Sequence, residues 1–306
     1  MIIRDRPTLF QLFFILRGSV VLRVFPQILV TAALSTLVVW LHETRPGLLP
    51  SFNSAPFALF GIALSIFLGF RNNACYDRWW EARRHWGEVL AASRSLDRQT
   101  LAVTGDPAGD QLRRRVLTLA IAFAQLLVPH LRPGGDSEKA LRWLDPGERA
   151  PIAGSRNPPH AVLHLISAAL AEARRAGRLA DVPHQTLERT LDVMEAALAS
   201  CERLRATPIP FGYTLLLHRT AYLFCFLLPF GFANLLDWAT PLATALVAYT
   251  FFGLDELGDQ LEEPFGLRDN DLPIAALADQ IELSLREALG ETDLPPAPAP
   301  VNYVLM

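Results

Sequence analysis

Charge is scarce in this chain. Charged residues make up 19% of its 306, with 28 basic against 31 acidic, for a net charge of −3. Average soluble domains carry about 25%. With no basic excess to neutralise phosphates, no nucleic-acid partner is expected. Cysteine is scarcer still. Cys75, Cys201 and Cys225 are the only three, and they lack metal-type spacing. A disulfide framework is therefore excluded, and no metal or other cofactor is expected. The sequence also has no glycine-rich phosphate loop, no H-E-x-x-H pair and no nucleophile elbow. No convergent set of acid, base and metal ligands is visible, so the chain is not expected to be an enzyme. Segments of alternating period are few, which leaves little room for sheet. No internal repeat is visible.

What is abundant is apolar. Hydrophobic residues reach 51%, with a mean hydropathy of +0.24, which rules out a disordered chain. They are concentrated in runs. Val24–Leu41 is eighteen residues without a charge, and Ala55–Phe70 is sixteen. Ala221–Leu236 is uncharged, with an apolar pattern that begins near Ile209, and Trp238–Leu254 adds seventeen more. A membrane span needs about 20 mainly apolar residues, with a range near 17–25. Buried core helices of a large soluble protein are the alternative, but four such runs in 306 residues are hard to bury in water. The expected fold class is an all-α membrane protein with four transmembrane helices, near 24–42, 55–71, 209–234 and 238–256. Residues 1–19 lack the h-region and small-residue site of a cleavable signal, and are expected to lie as an amphipathic segment at the interface.

Basic residues set the orientation. Arg4, Arg6, Arg17 and Arg23 precede the first span, while the loop His42–Ser54 holds only Arg45. Between Arg71 and Arg205 lie 20 of the 28 basic residues. The positive-inside rule then places both termini and the middle segment on the cytoplasmic side. That segment, 72–207, reads as helical. Leu163, Ile166 and Leu170 form one stripe, and Leu187, Leu191, Met194 and Leu198 another. Val116–Leu127 is apolar but too short to span. Pro146, Pro151, Pro158 and Pro159 are expected in loops, and residues 291–306, rich in proline, as a disordered tail. His218 and Arg219, near the start of the third span, either snorkel at its cytoplasmic entry or line an ion path.

At Gly69–Leu90, GFRNNACYDRWWEARRHWGEVL, the chain turns from apolar to charged-aromatic. Arg71, Arg78, Arg83 and Arg84 have Asp77, Glu81 and Glu88 within reach on the same helix, with Trp79, Trp80 and Trp86 as interfacial aromatics. This stretch, together with DELGDQLEEPFGLRDNDLPI (Asp255–Ile274), resembles the bestrophin family in its bacterial branch. The likeness covers about residues 1–290, read as a single channel domain. It implies a homopentamer with one axial pore lined by the second helix, embedded in lipid in the bacterial inner membrane. Eukaryotic members are calcium-activated chloride channels, and bacterial relatives include cation-conducting ones.

The family's neck is an apolar triplet at i, i+4, i+8, matched here by Ile62, Ile66 and Phe70. That spacing forms one helical stripe with a drift of about 40° per step. The opposite face, with Leu64 and Leu68, is equally apolar, so the pattern alone leaves both open. A second constriction at the cytoplasmic exit is matched by Val182, although Pro183 beside it also suits an ordinary turn. Eukaryotic members place consecutive acids after PFG, where they ligate Ca²⁺. Here only Asp269 and Asp271 remain, with Arg268 beside them, which puts calcium activation in doubt. The permeant ion is expected to be a small monovalent cation such as Na⁺, drawn by the acids from Asp255 to Glu263. The stronger reading of those acids is that they pair with arginines of the middle block. Rival readings are a chloride or other anion channel of the same architecture, and a non-conducting scaffold that recruits a partner.

Overall fold

The computed structural model describes residues 1–5, 7–45, 47–48, 52–132 and 135–306. Arg6 and residues 46 and 49–51 of the first loop lie outside the described residues. The described chain is helical, with only isolated bridges between Ile2 and Val304 and between Val301 and Val304. It divides into two compact units.

The first unit, residues 4–79 and 208–264, holds the apolar helices. A short α1 (Leu9–Phe14) exposes Leu9, Phe10 and Phe14. It is followed by α2 (Val21–Thr44), the first part of α3 (Ala55–Thr100), α9 (Phe211–Leu236) and α10 (Thr240–Glu262). Of these, α2, the stretch that begins with α3, and the continuous stretch Phe211–Glu262, which holds α9 and α10, are long and apolar enough to cross a membrane. Leu64, Leu68, Leu217, Phe224, Leu228, Phe251 and Phe252 close one core. Polar contacts add to it: the hydroxyls of Ser35 on α2 and Thr244 on α10 lie 2.6 Å apart, both buried. In an apolar surround, small and hydroxylated residues let helices approach and satisfy one another.

Helix α3 continues without a break past residue 71, where the second span is expected to end. No proline interrupts 57–100, and charged residues propagate a helix as readily as apolar ones, so α3 runs 46 residues. Trp86 is not interfacial either but fully buried.

The second unit, residues 1–3, 80–207 and 265–306, is built around α4 (Pro107–Leu131). Asp106 caps α4 by accepting from the Gly109 N–H at 2.6 Å, and Pro107 opens its first turn. Helix α4 is long and apolar enough to cross a membrane, yet it is the core of this unit: every residue from Leu119 to Leu127 is buried. Around it lie α5 (Glu138–Leu141), α6 (Pro146–Ala153), α7 (Pro158–Arg175), α8 (Asp181–Ala206) and α11 (Ile274–Ala288). The stripes Leu163, Ile166, Leu170 and Leu187, Leu191, Met194, Leu198 are buried.

The prolines expected in loops open helices instead. Pro146 and Pro158 begin α6 and α7, where a missing N–H costs nothing, and Pro151 lies inside α6. The tail differs from expectation as well. The Ile3 N–H donates to the Tyr303 carbonyl at 2.8 Å, and the Ala276 N–H to the Met306 carbonyl at 2.9 Å. Backbone partners more than twenty residues away order its last six residues.

Candidate functional site

Along α3 the two apolar faces separate. Ile62, Ile66 and Phe70 are 60%, 52% and 60% exposed, whereas Leu64 and Leu68 are 4% and 0% exposed. The Leu64–Leu68 face is held by Phe224, Leu217 and Leu228 of α9 and by Phe251 and Phe252 of α10. The Ile62–Phe70 face meets little of its own chain and carries no charged group between residues 55 and 70.

One residue further on, Arg71 is 0% exposed. Its Nη1 donates to the Asp255 Oδ1 at 2.8 Å and to the Asp255 carbonyl at 3.3 Å. Its Nη2 pairs with Asp259 and lies 3.5 Å from the Glu262 Oε2. Asp255 is shared, since its Oδ2 lies 2.6 Å from the His218 Nδ1 on α9. Asn72 donates to the Leu254 carbonyl at 3.0 Å, the Arg78 Nε to the Glu262 carbonyl at 3.3 Å, and Arg23 pairs with Glu256 at 3.1 Å. A buried guanidinium is tolerable only when carboxylates compensate it, and here three converge on one arginine.

The two motifs singled out in the sequence are therefore two halves of one cluster. Arg71 pairs across to α10, not with Asp77, Glu81 or Glu88 of its own helix. Of those, Glu81 pairs with Arg203, and Glu88 with His85 at 2.8 Å. His218 belongs to the cluster, while Arg219 is exposed. Sequence reading anticipated that these acids pair with arginines of the middle block but did not single out Arg71 or His218, whose partner Asp255 lies 184 positions from Arg71.

Gly258 of α10 shows how tight the cluster is. A Cβ there would sit 2.7 Å from the Asn72 Oδ1 and 3.1 Å from the Arg71 Nη1. Gly258→Ala is expected to cost about 1–3 kcal/mol, as overpacking does. The thermal midpoint of the purified protein in detergent reports it, and an unchanged midpoint would mean that α10 has room to retreat.

The remaining sequence candidates sit in the second unit. Val182 is in the first turn of α8, beside Pro183, and is 74% exposed. Asp269 is partly exposed, whereas Asp271 is 1% exposed. The Asp271 Oδ2 accepts the Arg268 N–H at 2.7 Å, and its Oδ1 has no partner among the described residues. Burial pushes this carboxyl above the ordinary aspartate value, against the Arg268 N–H and the charges of Arg268 and Arg132. Arg132, itself buried, donates to the carbonyls of Phe265 at 3.2 Å and Leu272 at 2.9 Å. Burial also pushes the Cys201 thiol up to about 12, so it carries no thiolate at neutral pH.

Four apolar helices, an uncharged exposed face on one of them and a buried ion cluster where that face ends define an all-α membrane protein of the ion-channel class. Residues 1–287 match the family model described as Bacterial/Fungal Bestrophin protein, and the chain belongs to the bestrophin family. It is 45% identical to the voltage-dependent anion channel-forming protein of Mesorhizobium japonicum, over 99% of this chain and 97% of that one. It is 39% identical to the voltage-dependent anion channel-forming protein YneE of Escherichia coli K12, over 96% of each. The crystal structure of a bacterial bestrophin homologue from Klebsiella pneumoniae superposes with a TM-score of 0.83 at 38% identity, covering 88% of this chain and 99% of that one.

Proposed function

We propose that the chain forms a homopentameric channel of the bacterial inner membrane that passes small monovalent anions such as chloride. The observation that carries this reading is the α3 face of Ile62, Ile66 and Phe70, exposed and without charge. Five copies around an axis would stack three apolar rings. Such a neck opposes ions by the cost of shedding water, which penalises Na⁺ more than a large, weakly hydrated anion. The names of the relatives, anion channel-forming proteins, support the same choice.

The expected cation preference rested on the resemblance to bacterial relatives and on the acids from Asp255 to Glu263. Asp255, Asp259 and Glu262 are held by Arg71 and Glu256 by Arg23, so these carboxylates are committed to structural ion pairs, although two arginines offset only part of their charge. Under a NaCl gradient in a planar bilayer, the reversal potential should move toward the chloride equilibrium potential. Movement toward the sodium potential would restore the cation reading, and no current at all would favour a scaffold.

Native mass measurement in a mild detergent should give five copies, and a stable monomer or dimer would rule out the ring. Val182 is assigned to the cytoplasmic aperture on the strength of its exposed place at the start of α8. Both termini are assigned to the cytoplasm, which the even number of spans and the Ile2–Val304 bridge support.

Asp269 and Asp271 are read as a vestige of a calcium site. A carboxyl held toward its neutral form and faced by Arg132 and Arg268 is a poor ligand for a hard dication. Conductance is expected to be unchanged between calcium-free and micromolar-calcium solutions. A steep calcium dependence that Asp271→Asn abolishes would refute this.

A further inference from the structure

A cavity of about 500 Å³ opens in the second unit between the first half of α4, the end of α7 and the chain around Trp143. Small-molecule sites commonly measure about 300–1,000 Å³. Arg114, Arg115 and Arg178 line it, and the arginines in and beside the lining are unequally committed. Arg113, Arg114 and Arg115 are consecutive on α4. Arg113 pairs with Asp97 at 2.7 Å, and Arg115 pairs with Asp145 at 3.3 Å and with Glu148. Arg114, between them, lines the cavity and has no ion-pair or hydrogen-bond partner among the described residues.

The same contrast recurs across the cavity between Arg178, which lines it, and Arg174, which does not. Arg174 donates to Asp181 at 2.7 Å, whereas the guanidinium of Arg178 has no partner among the described residues. The backbone of Arg178 is nonetheless fixed. Gly177 takes a φ of 72°, and the N–H groups of Arg178 and Leu179 donate to the Ala173 carbonyl at 2.9 and 3.3 Å. Two guanidinium heads are thus left uncommitted in a chain that has more acids than bases. Of the carboxylates lining the cavity, Asp145 is already held by Arg115, which leaves Glu172 against two cations.

We propose that this cavity binds a small soluble polyanion of the phosphorylated-metabolite class, clamped between Arg114 and Arg178. A planar guanidinium matches phosphate oxygens in a two-pronged contact, and two such forks suit an anion with two phosphate groups. The aliphatic lining is limited to Ala108, Leu112 and Ala169, which offers no seat for an acyl chain and so favours a free anion over a lipid headgroup. The bound anion ties α4 to the turn 177–180 and stiffens the segment that leads into Val182. This site does not rest on the channel reading.

The test is calorimetric titration of inorganic pyrophosphate into the full chain in neutral detergent at low salt, paired with hydrogen exchange. Saturable binding is expected, with slower exchange over residues 174–182 and affinity that falls as salt is added. Arg114→Gln and Arg178→Gln should each weaken binding about tenfold or more. Arg175→Gln, which removes a nearby exposed cation outside the cavity lining, should bind as the parent does. Absence of saturable binding, or equal weakening by Arg175→Gln, would overturn the site, the latter by showing diffuse basic attraction. Binding of a short-chain phosphatidic acid without binding of pyrophosphate would overturn the soluble ligand in favour of a headgroup.

Discussion

Channels carrying Ile66→Ala or Phe70→Ala are expected to pass more current than the parent, with little change in reversal potential. The neck barrier is the cost of an ion losing water in a narrow, dry passage. Truncation widens the ring and admits water, and five-fold symmetry repeats each truncation five times around it. No charge is altered, so the sign of the preferred ion should hold. Leu64→Ala and Leu68→Ala remove comparable apolar bulk from the other face of the same helix. There the side chains are buried, so the expected effect is a packing loss of about 2–5 kcal/mol without a gain in current. Single-channel recording and thermal midpoints on the four variants separate the two faces. The assignment fails if both pairs behave alike, or if only the leucine variants open the channel.

The second large effect is expected at Arg71. Arg71→Met keeps the length of the side chain but leaves Asp255, Asp259 and Glu262 without their shared cation. Breaking a buried ion pair from one side costs about 3–5 kcal/mol, because the orphaned charge stays behind. Midpoints in detergent should fall sharply for Arg71→Met. Asp255→Asn should cost less, since Asp259 and Glu262 still hold the guanidinium. If Arg71→Met melts within about 2 °C of the parent, the cluster contributes little to stability.

The apolar helices were legible because length and lack of charge signal a span regardless of partners. The stripes of α7 and α8 were legible from period alone. The change in polarity at Arg71 was legible, but that one helix runs through it without a break was not, because charged residues propagate a helix as readily as apolar ones. The start of α4 carried a readable signal in Asp106–Pro107, an N-cap followed by a first-turn proline. The mate of Arg71 was not legible: any of several acids could satisfy an arginine in sequence, and only the packing of α3 on α10 chooses. Likewise, Ile62 and Leu64 are chemically alike, and their roles divide only because α9 and α10 cover one face. The ordered end of the tail depends on pairing across nearly the whole chain.

The distance along the chain between Arg71 and Asp255 also bears on how the protein is made. The ribosome completes the arginine 184 residues before the aspartate. At about 5–20 residues per second, roughly 10–40 s of synthesis pass between them. Throughout that interval a nascent second span must hold an uncompensated cation at its end, where the side chain can reach water but the helix cannot settle deeper. Arrival of α10 ends the wait and locks the hairpin in place. Variants that lack Asp255 and Asp259 together should therefore be lost during insertion, as reduced yield in the membrane fraction, before any folded channel exists to be destabilised.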